Sequence, residues 1–309
     1  MFEFGIGYKE RLHIGVDWPH QWDYFVSAFN ASERVKRVFD KVTAKRKVWL
    51  MCPQYLYEST EYPVGDVFSS DKRNEADFIA EWGSSAPVDL DAMSVCVDIT
   101  GFIRPTLLFF VKYLRDRGVK RFYALYSEPT SYKKKELTEF SSAHTGEVRQ
   151  VAGFEGIHTT STDNDLLIVG SGYDSEELAR VAYSKDTARK IQILGLPSLR
   201  ADMYQENELR VALAEDAIGS GKVFFAPAYD PFVTADTLDE VVREASNKNG
   251  ISNLYLAPLS SKPQVLGFAL YYLKKCAGGP ASVIFPIANC YAKETSVGIA
   301  RVWQYTVEF

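Results

Sequence analysis

The chain has 309 residues, of which 46% are hydrophobic and 24% charged, and its net charge is −5. This is the composition of a globular protein with room for one large α/β domain or two smaller ones. The acidic balance excludes a broad nucleic-acid surface and leaves room only for a local basic pocket.

The opening stretch, MFEFGIGYKERLHIGVDW, carries no charged-then-apolar signal pattern. No apolar run approaches the roughly 18 residues that a transmembrane helix needs. A cytoplasmic protein without a membrane span is expected. The cysteines, Cys52, Cys96, Cys276 and Cys290, show no metal-ligand or redox spacing, which suits a reducing compartment. Cys96 lies in an apolar run and reads as a small buried hydrophobe.

Leu12–Val16 reads as a strand that Asp17-Trp18-Pro19 breaks. Asn30–Lys41 has the spacing of a helix, with Asn30 or Ser32 as N-cap and Val35, Val38, Phe39 and Val42 as its apolar stripe. Lys45-Arg46-Lys47 reads as a solvated turn and Val48–Cys52 as a strand. Residues 53–75 read as a long loop and Asp77–Trp82 as a short helix. Ser84–Pro87 is the expected boundary between an N-terminal α/β extension, residues 1–86, and a main unit, residues 87–309.

From residue 93 strands and helices alternate. Apolar runs occur at Ser94–Ile99, Phe122–Tyr126, Leu166–Gly170, Lys190–Leu194, Val223–Ala226, Leu254–Ala257 and Ser282–Phe285. Helical patterns fill most of the gaps: Thr106–Arg117, Ser175–Tyr183, Asp202–Asp216, Thr234–Ser246 and Gln264–Cys276. The expected fold is Rossmann-like α/β, a mostly parallel sheet with helices on both faces. Ala300–Val307 alternates and reads as an edge or antiparallel strand. Glu128–Gly156, with Lys133-Lys134-Lys135, reads as partly loop. Residues 93–128 and 252–287 share one plan: strand, hydroxyl-bearing loop, basic residue, proline, helix, glycine, strand. This suggests two pseudo-repeated halves.

Ligands of parallel sheets bind beyond the carboxyl ends of the strands. The loops expected there offer Asp98, Thr100, Gly101, Arg104, Ser171, Arg200, Ser260, Ser261 and Lys262 as ligand-binding residues. Arg104, Arg200 and Lys262 suit phosphates, and a helix start adds unpaired amides and a favourable dipole. Tyr126, Tyr132, Tyr173 and Tyr229 suit a base. Gly170-Ser171-Gly172 is half a dinucleotide loop, and the full glycine fingerprint is absent. Ser198 and Asp202 read as helix caps. Asp98, Glu128, Glu155, Asp174 and Asp230 are the carboxylates available at strand ends. Asp98 and Glu128, on adjacent strands, are the acid/base or nucleophile candidates. Paired carboxylates there would also suit Mg²⁺, although no metal-binding spacing is present. The histidines, His13, His20, His144 and His158, belong to no catalytic motif.

The stretch Asp98-Ile99-Thr100-Gly101-Phe102-Ile103-Arg104-Pro105 resembles the first ligand loop of CARF domains, Rossmann-like sensors of cyclic oligoadenylates in CRISPR-linked defence. Leu259-Ser260-Ser261-Lys262-Pro263 resembles that family's second loop but lacks its usual glycines. The two loops lie about 160 residues apart, longer than one CARF unit, and the two-lobed SAVED relatives account for such a length. The RNase effectors often fused to CARF domains place a histidine about five residues after an arginine, and no histidine of this chain has that spacing. The resemblance implies a sensor of a nucleotide or cyclic oligonucleotide in prokaryotic antiviral defence. It would signal to an effector protein in trans, and a homo-oligomer is compatible with it. The alternatives are a nucleotide hydrolase or glycosyl-transfer enzyme working through Asp98 and Glu128, and a structural or assembly subunit.

Overall fold

The computed structural model describes residues 8–133, 141–172, 174–200, 215–219 and 221–309. Its contacts divide the chain into two compact units. A split unit comprises Gly7–Ala143 with Ala288–Phe309, and an inserted unit comprises His144–Ile287. Strands are numbered β1 to β15 along the chain.

In the split unit, β1 (Lys9–Leu12), β2 (Gln21–Ala28), β3 (Thr43–Met51), β4 (Asp66–Ser69), β5 (Val95–Asp98), β6 (Arg121–Glu128) and β15 (Arg301–Glu308) form one sheet. Its order is β1-β15-β6-β5-β2-β3-β4. The five strands from β6 to β4 are mutually parallel, and β15 runs antiparallel to both β6 and β1. Counted from β2, the parallel strands stand in the order 3-2-1-4-5. This is a doubly wound Rossmann-like sheet whose order reverses between β2 and β5.

Residues adjacent in a strand point to opposite faces, so Tyr24 and Phe25 of β2 serve two cores. On one face Phe25 packs on Phe39 of the helix Glu33–Lys41, ring centroids 5.5 Å apart, and Phe39 stacks on Trp49 at 3.6 Å. On the other, Tyr24 meets Trp82 of the helix Glu75–Ser85 at 6.4 Å, and Trp82 meets Phe110 of the helix Arg104–Asp116 at 5.0 Å. Each such ring, taken from water, stabilises the fold by about 1.5–3 kcal/mol.

The inserted unit repeats the plan. β9 (Leu166–Gly170), β10 (Arg189–Gly195), β11 (Lys222–Ala226), β12 (Leu254–Pro258) and β13 (Ala281–Tyr291) join β8 (Ser141–Gln150) in the order β11-β10-β9-β12-β13-β8. β9 to β13 are parallel and, counted from β9, again read 3-2-1-4-5. The helix Ser175–Ser184 follows β9, Pro231–Asn249 follows β11, and Lys262–Tyr271 follows β12 and continues into a π-turn, Tyr272–Cys276. Residues 93–128 and 252–287 therefore hold the same place in two sheets: fourth strand, helix, fifth strand.

Several expectations are corrected. The boundary expected at Ser84–Pro87 is instead the end of the helix Glu75–Ser85 and its crossover into β5, inside one sheet. Gln21–Ala28 forms the central strand β2, in a stretch to which the sequence assigns no element. Its run, QWDYFVSA, is buried on both faces and shows no alternation. The first strand is Lys9–Leu12, and Val16 lies in a turn that follows it. Lys45-Arg46-Lys47 is part of β3, not a turn. Lys47 stays there by donating to the carbonyls of Phe39 (2.6 Å) and Val42 (3.2 Å), while Lys45 and Arg46 pair with Asp23 (2.7 Å) and Asp66 (2.8 Å). Residues 53–75 contain two 3₁₀ turns and the edge strand β4. The base-stacking role of Tyr173, the cap at Asp202, the helix expected over 202–216 as far as residue 214, and Lys134-Lys135 fall outside the described residues. Among those described, no helix is long and apolar enough to cross a membrane.

Both sheets close their reversal point in the same physical way. A Cβ on Gly101, in the loop after β5, would lie 1.9 Å from the carbonyl oxygen of Ala28 at the end of β2. A Cβ on Gly172, in the loop after β9, would lie 2.1 Å from the carbonyl oxygen of Leu259 after β12. Only glycine lets the two central loops touch backbone to backbone. Gly101→Ala and Gly172→Ala are each expected to destabilise the protein by about 2–3 kcal/mol in urea unfolding. Gly15→Ala, with nothing within 4 Å of the new Cβ, is expected to stay within about 0.5 kcal/mol of the parent. Neutral behaviour of the first two would contradict the close approach.

Candidate functional site

The site expected from the loops falls at the carboxyl edges of two sheets. Asp98, Thr100, Gly101, Arg104 and Glu128 belong to the split unit. Ser171, Arg200, Ser260, Ser261 and Lys262 belong to the inserted unit.

In the split unit, Asp98 ends β5 and is fully buried. One carboxylate oxygen accepts from the Ser27 hydroxyl on β2 (3.1 Å), and the other accepts from the Thr100 amide (3.0 Å). The Thr100 hydroxyl faces that of Ser127 (3.2 Å) and accepts from the Ser127 amide (3.0 Å), so the loop is also tied to β6. Burial raises the Asp98 pKa to about 6 against the opposing hydrogen bonds of Thr100 and Ser27 and the charge of Arg34. Tyr55 donates to the Gly101 carbonyl (2.9 Å).

Arg34 is the residue the sequence did not flag. It sits in the first turn of the helix after β2 and is buried. Its Nε donates to the Ser296 hydroxyl at 3.0 Å, an Nη donates to the Ser127 carbonyl, and its guanidinium lies 5.9 Å from the centre of the Tyr126 ring. Ser296 lies in β14 (Ser296–Val297), which pairs with β7 (Ser131–Tyr132). One buried cation thus ties β14 and the helix after β2 to the end of β6. A lone arginine next to Glu33 on a helix reads as surface, which is why it carried no signal.

The helix Arg104–Asp116 starts with Ile103 as its N-cap, which offers no side-chain acceptor, and its first turn holds no acidic residue. Arg104 is its first residue and is half-buried. This helix start therefore keeps the partial positive charge that capping side chains usually offset. Lys262 holds the equivalent position in the inserted unit. There Ser261 caps, accepting weakly from the Gln264 amide (3.4 Å) and donating to the Ala228 carbonyl.

Most of the remaining residues bond within the protein. The Ser171 hydroxyl donates to Gln192 (2.9 Å), and Ser260 is buried against Gly170. Arg200 is half-buried, and its carbonyl accepts from Ser198, whose hydroxyl was expected to cap a helix. Asp174 and Asp230 cap the helices that follow them. Tyr126 is buried, whereas Tyr132 and Tyr229 are half-buried. Near β3 and β4, about 270 Å³ of open space is lined by Cys52, Leu56, Tyr57 and Tyr62 among others. The sequence reading passed over these tyrosines as part of a loop.

The acid/base pair is corrected. Asp98 turns toward β2 and its own loop. Glu128 turns toward β15, accepting from the Trp303 indole (2.6 Å) with Arg301 at 3.6 Å. β5 and β15 flank β6 on opposite sides, so the two carboxylates serve different neighbours. Burial raises the Glu128 pKa, opposed by Trp303 and Arg301. Among the described residues, no three His, Cys, Asp or Glu side chains come together as a metal site.

The pH dependence of Asp98 follows from its raised pKa. In the folded protein it keeps its proton up to about pH 6, while in the unfolded chain it loses it near 3.8. Between these values the folded state binds more protons, so Asp98 lowers stability as pH rises through that window. Asp98→Asn keeps an acceptor for Thr100 and removes the titration. Relative to the parent, it is expected to gain ~2–3 kcal/mol between pH 4 and pH 7 in urea unfolding. A pH-independent difference would contradict the buried-carboxylate account.

No known protein-family profile matches the chain, and no curated protein matches it. Among solved structures it is similar to CobK precorrin-6A reductase, at 10% identity over 84% of this chain and 87% of that one, with a TM-score of 0.24.

Proposed function

We propose that the chain binds phosphate-bearing ligands, a nucleotide or cyclic oligonucleotide, each unit offering a phosphate position of its own. The observation that carries this reading is the uncapped start of the Arg104 helix. It offers first-turn amides, no acidic side chain and a basic first residue, at the sheet edge where doubly wound folds bind ligands. The inserted unit offers Lys262 at the equivalent place, also followed by proline. The repeated plan also supports the likeness of both loops to those of CARF sensors, and with it a role in antiviral defence and signalling to an effector in trans.

The hydroxyls of Thr100, Ser171 and Ser261 hold protein groups, so Arg104, Lys262 and backbone amides are the phosphate contacts in this reading. The half-buried Tyr132 and Tyr229 are the bases' neighbours, in place of the buried Tyr126. Asp98 positions the loop and does no proton chemistry. The separation of Asp98 from Glu128 weighs against the enzyme alternative.

A second reading, a structural or assembly subunit, is favoured by the same internal bonding of Asp98 and the hydroxyls. Thermal-shift and calorimetric titration with cyclic di-, tri- and tetra-adenylate separates the two. The binding reading predicts a raised melting temperature with at least one of them. Arg104→Ala should weaken binding to the split unit and Lys262→Ala binding to the inserted unit, each by about tenfold or more, as loss of a charge-assisted hydrogen bond does. No shift with any nucleotide, or full affinity in the double variant, would leave the structural reading.

A further inference from the structure

The inserted unit has a cavity at the other edge of its sheet, where β9, β10 and β11 begin. It encloses about 200 Å³. Its floor is apolar, made by Leu166, Ile191, Phe224 and Val241. Its rim is cationic: Arg189 and Lys190 from the start of β10, Lys222 from the start of β11, and Lys248 from the last turn of the helix Pro231–Asn249. Among the described residues, the one carboxylate lining it is Glu244.

The partners of these cations leave most of the charge uncompensated. Lys222 pairs with Glu244 at 2.5 Å. Lys190 donates to the carbonyl of Asp186 (2.8 Å), a neutral partner. Arg189 donates to the Gly250 carbonyl (2.7 Å), and its second nitrogen faces the Asn249 amide oxygen at 3.2 Å in the orientation that satisfies that amide. The Arg189 Nε is buried and has no acceptor among the described residues. Among the described residues, four cations thus face one carboxylate around an apolar hollow. Concave sites lined by one sign of charge concentrate ions of the opposite sign. An apolar floor with a few charged groups at its rim is how small-molecule sites combine affinity with orientation.

We propose that this cavity binds a small amphiphilic anion, an apolar ring or branched chain carrying one carboxylate or phosphate monoester. Its apolar body lies on Ile191 and Phe224, and its acidic group lies among Lys190, Arg189 and Lys248. The volume limits the occupant to on the order of ten non-hydrogen atoms. The cavity shares no residue with the helix starts at Arg104 and Lys262, so this proposal stands or falls separately from the one above.

The test uses the full chain and ¹⁹F NMR with four probes of nearly equal size: 4-fluorophenylacetate, 4-fluorophenyl phosphate, 4-fluorobenzyl alcohol and 4-fluorobenzylamine. At least one anion should bind at least tenfold more tightly than the alcohol, and the amine should not bind. The stronger of the two anions tells whether the acidic group is carboxylate or phosphate. Lys190→Ala with Lys248→Ala should raise the anion's Kd at least tenfold and leave the alcohol's unchanged. Lys190→Arg with Lys248→Arg should restore anion binding, and Arg104→Ala with Lys262→Ala should not alter it. Failure of both anions to bind, equal affinity for anion and alcohol, or full anion affinity in the double alanine variant would overturn the proposal.

Discussion

The split unit depends on one buried carboxylate. Asp98 stands at the end of β5, where the sheet reverses its order, and joins that strand to β2 through Ser27 and to its own loop through Thr100. An ionised carboxylate removed from water is costly unless its oxygens are satisfied. Here each accepts a hydrogen bond and the charge of Arg34 adds to them, but burial outweighs these and holds the pKa near 6. The arrangement fixes the exit of the Arg104 helix and lets Gly101 meet the Ala28 carbonyl. The direction of that helix start, and hence of its dipole, follows from this one side chain and its partners.

The inserted unit reaches the same geometry with different chemistry. Its reversal lies between β9 and β12, and no carboxylate stands at the matching place: β12 ends in Pro258. A glycine from the opposite loop, Gly172, makes the close approach, and Ser171 bonds to Gln192 on β10. What the two units share is therefore backbone geometry and a basic, proline-led helix start. The side chains that hold the loops differ. This is the expected pattern when strand order and handed crossovers set the architecture and local side chains only secure it.

The sequence made the later strands legible because they are short, apolar and bounded by turn residues. Leu166–Gly170 and the helix starts at Ser175, Arg104 and Lys262 stand within two residues of where the spacing puts them. β2 was illegible because a central strand buried on both faces has no period of two. Missing it moved the domain boundary to residue 86 and hid the first half of the Rossmann-like order. Arg34 was illegible for another reason. Its burial comes from β14, more than 250 residues away in the chain, and no local pattern announces that contact. Asp98 was visible as a strand-end acid, yet its partner Ser27 lies on the missed strand, so its structural role could not be read. The expected nearness of Asp98 and Glu128 failed because adjacent strand ends bring backbones together, while side chains three residues apart in register turn to different neighbours.

The account rests on the Arg104 and Lys262 helix starts being places where an anion sits. Anomalous diffraction from crystals of the full chain soaked in tungstate, a heavy phosphate mimic, tests this directly. The account predicts anomalous peaks within hydrogen-bonding distance of the first-turn amides of both helices, lost at the first in Arg104→Ala and at the second in Lys262→Ala. Peaks elsewhere with none at either helix start would contradict it.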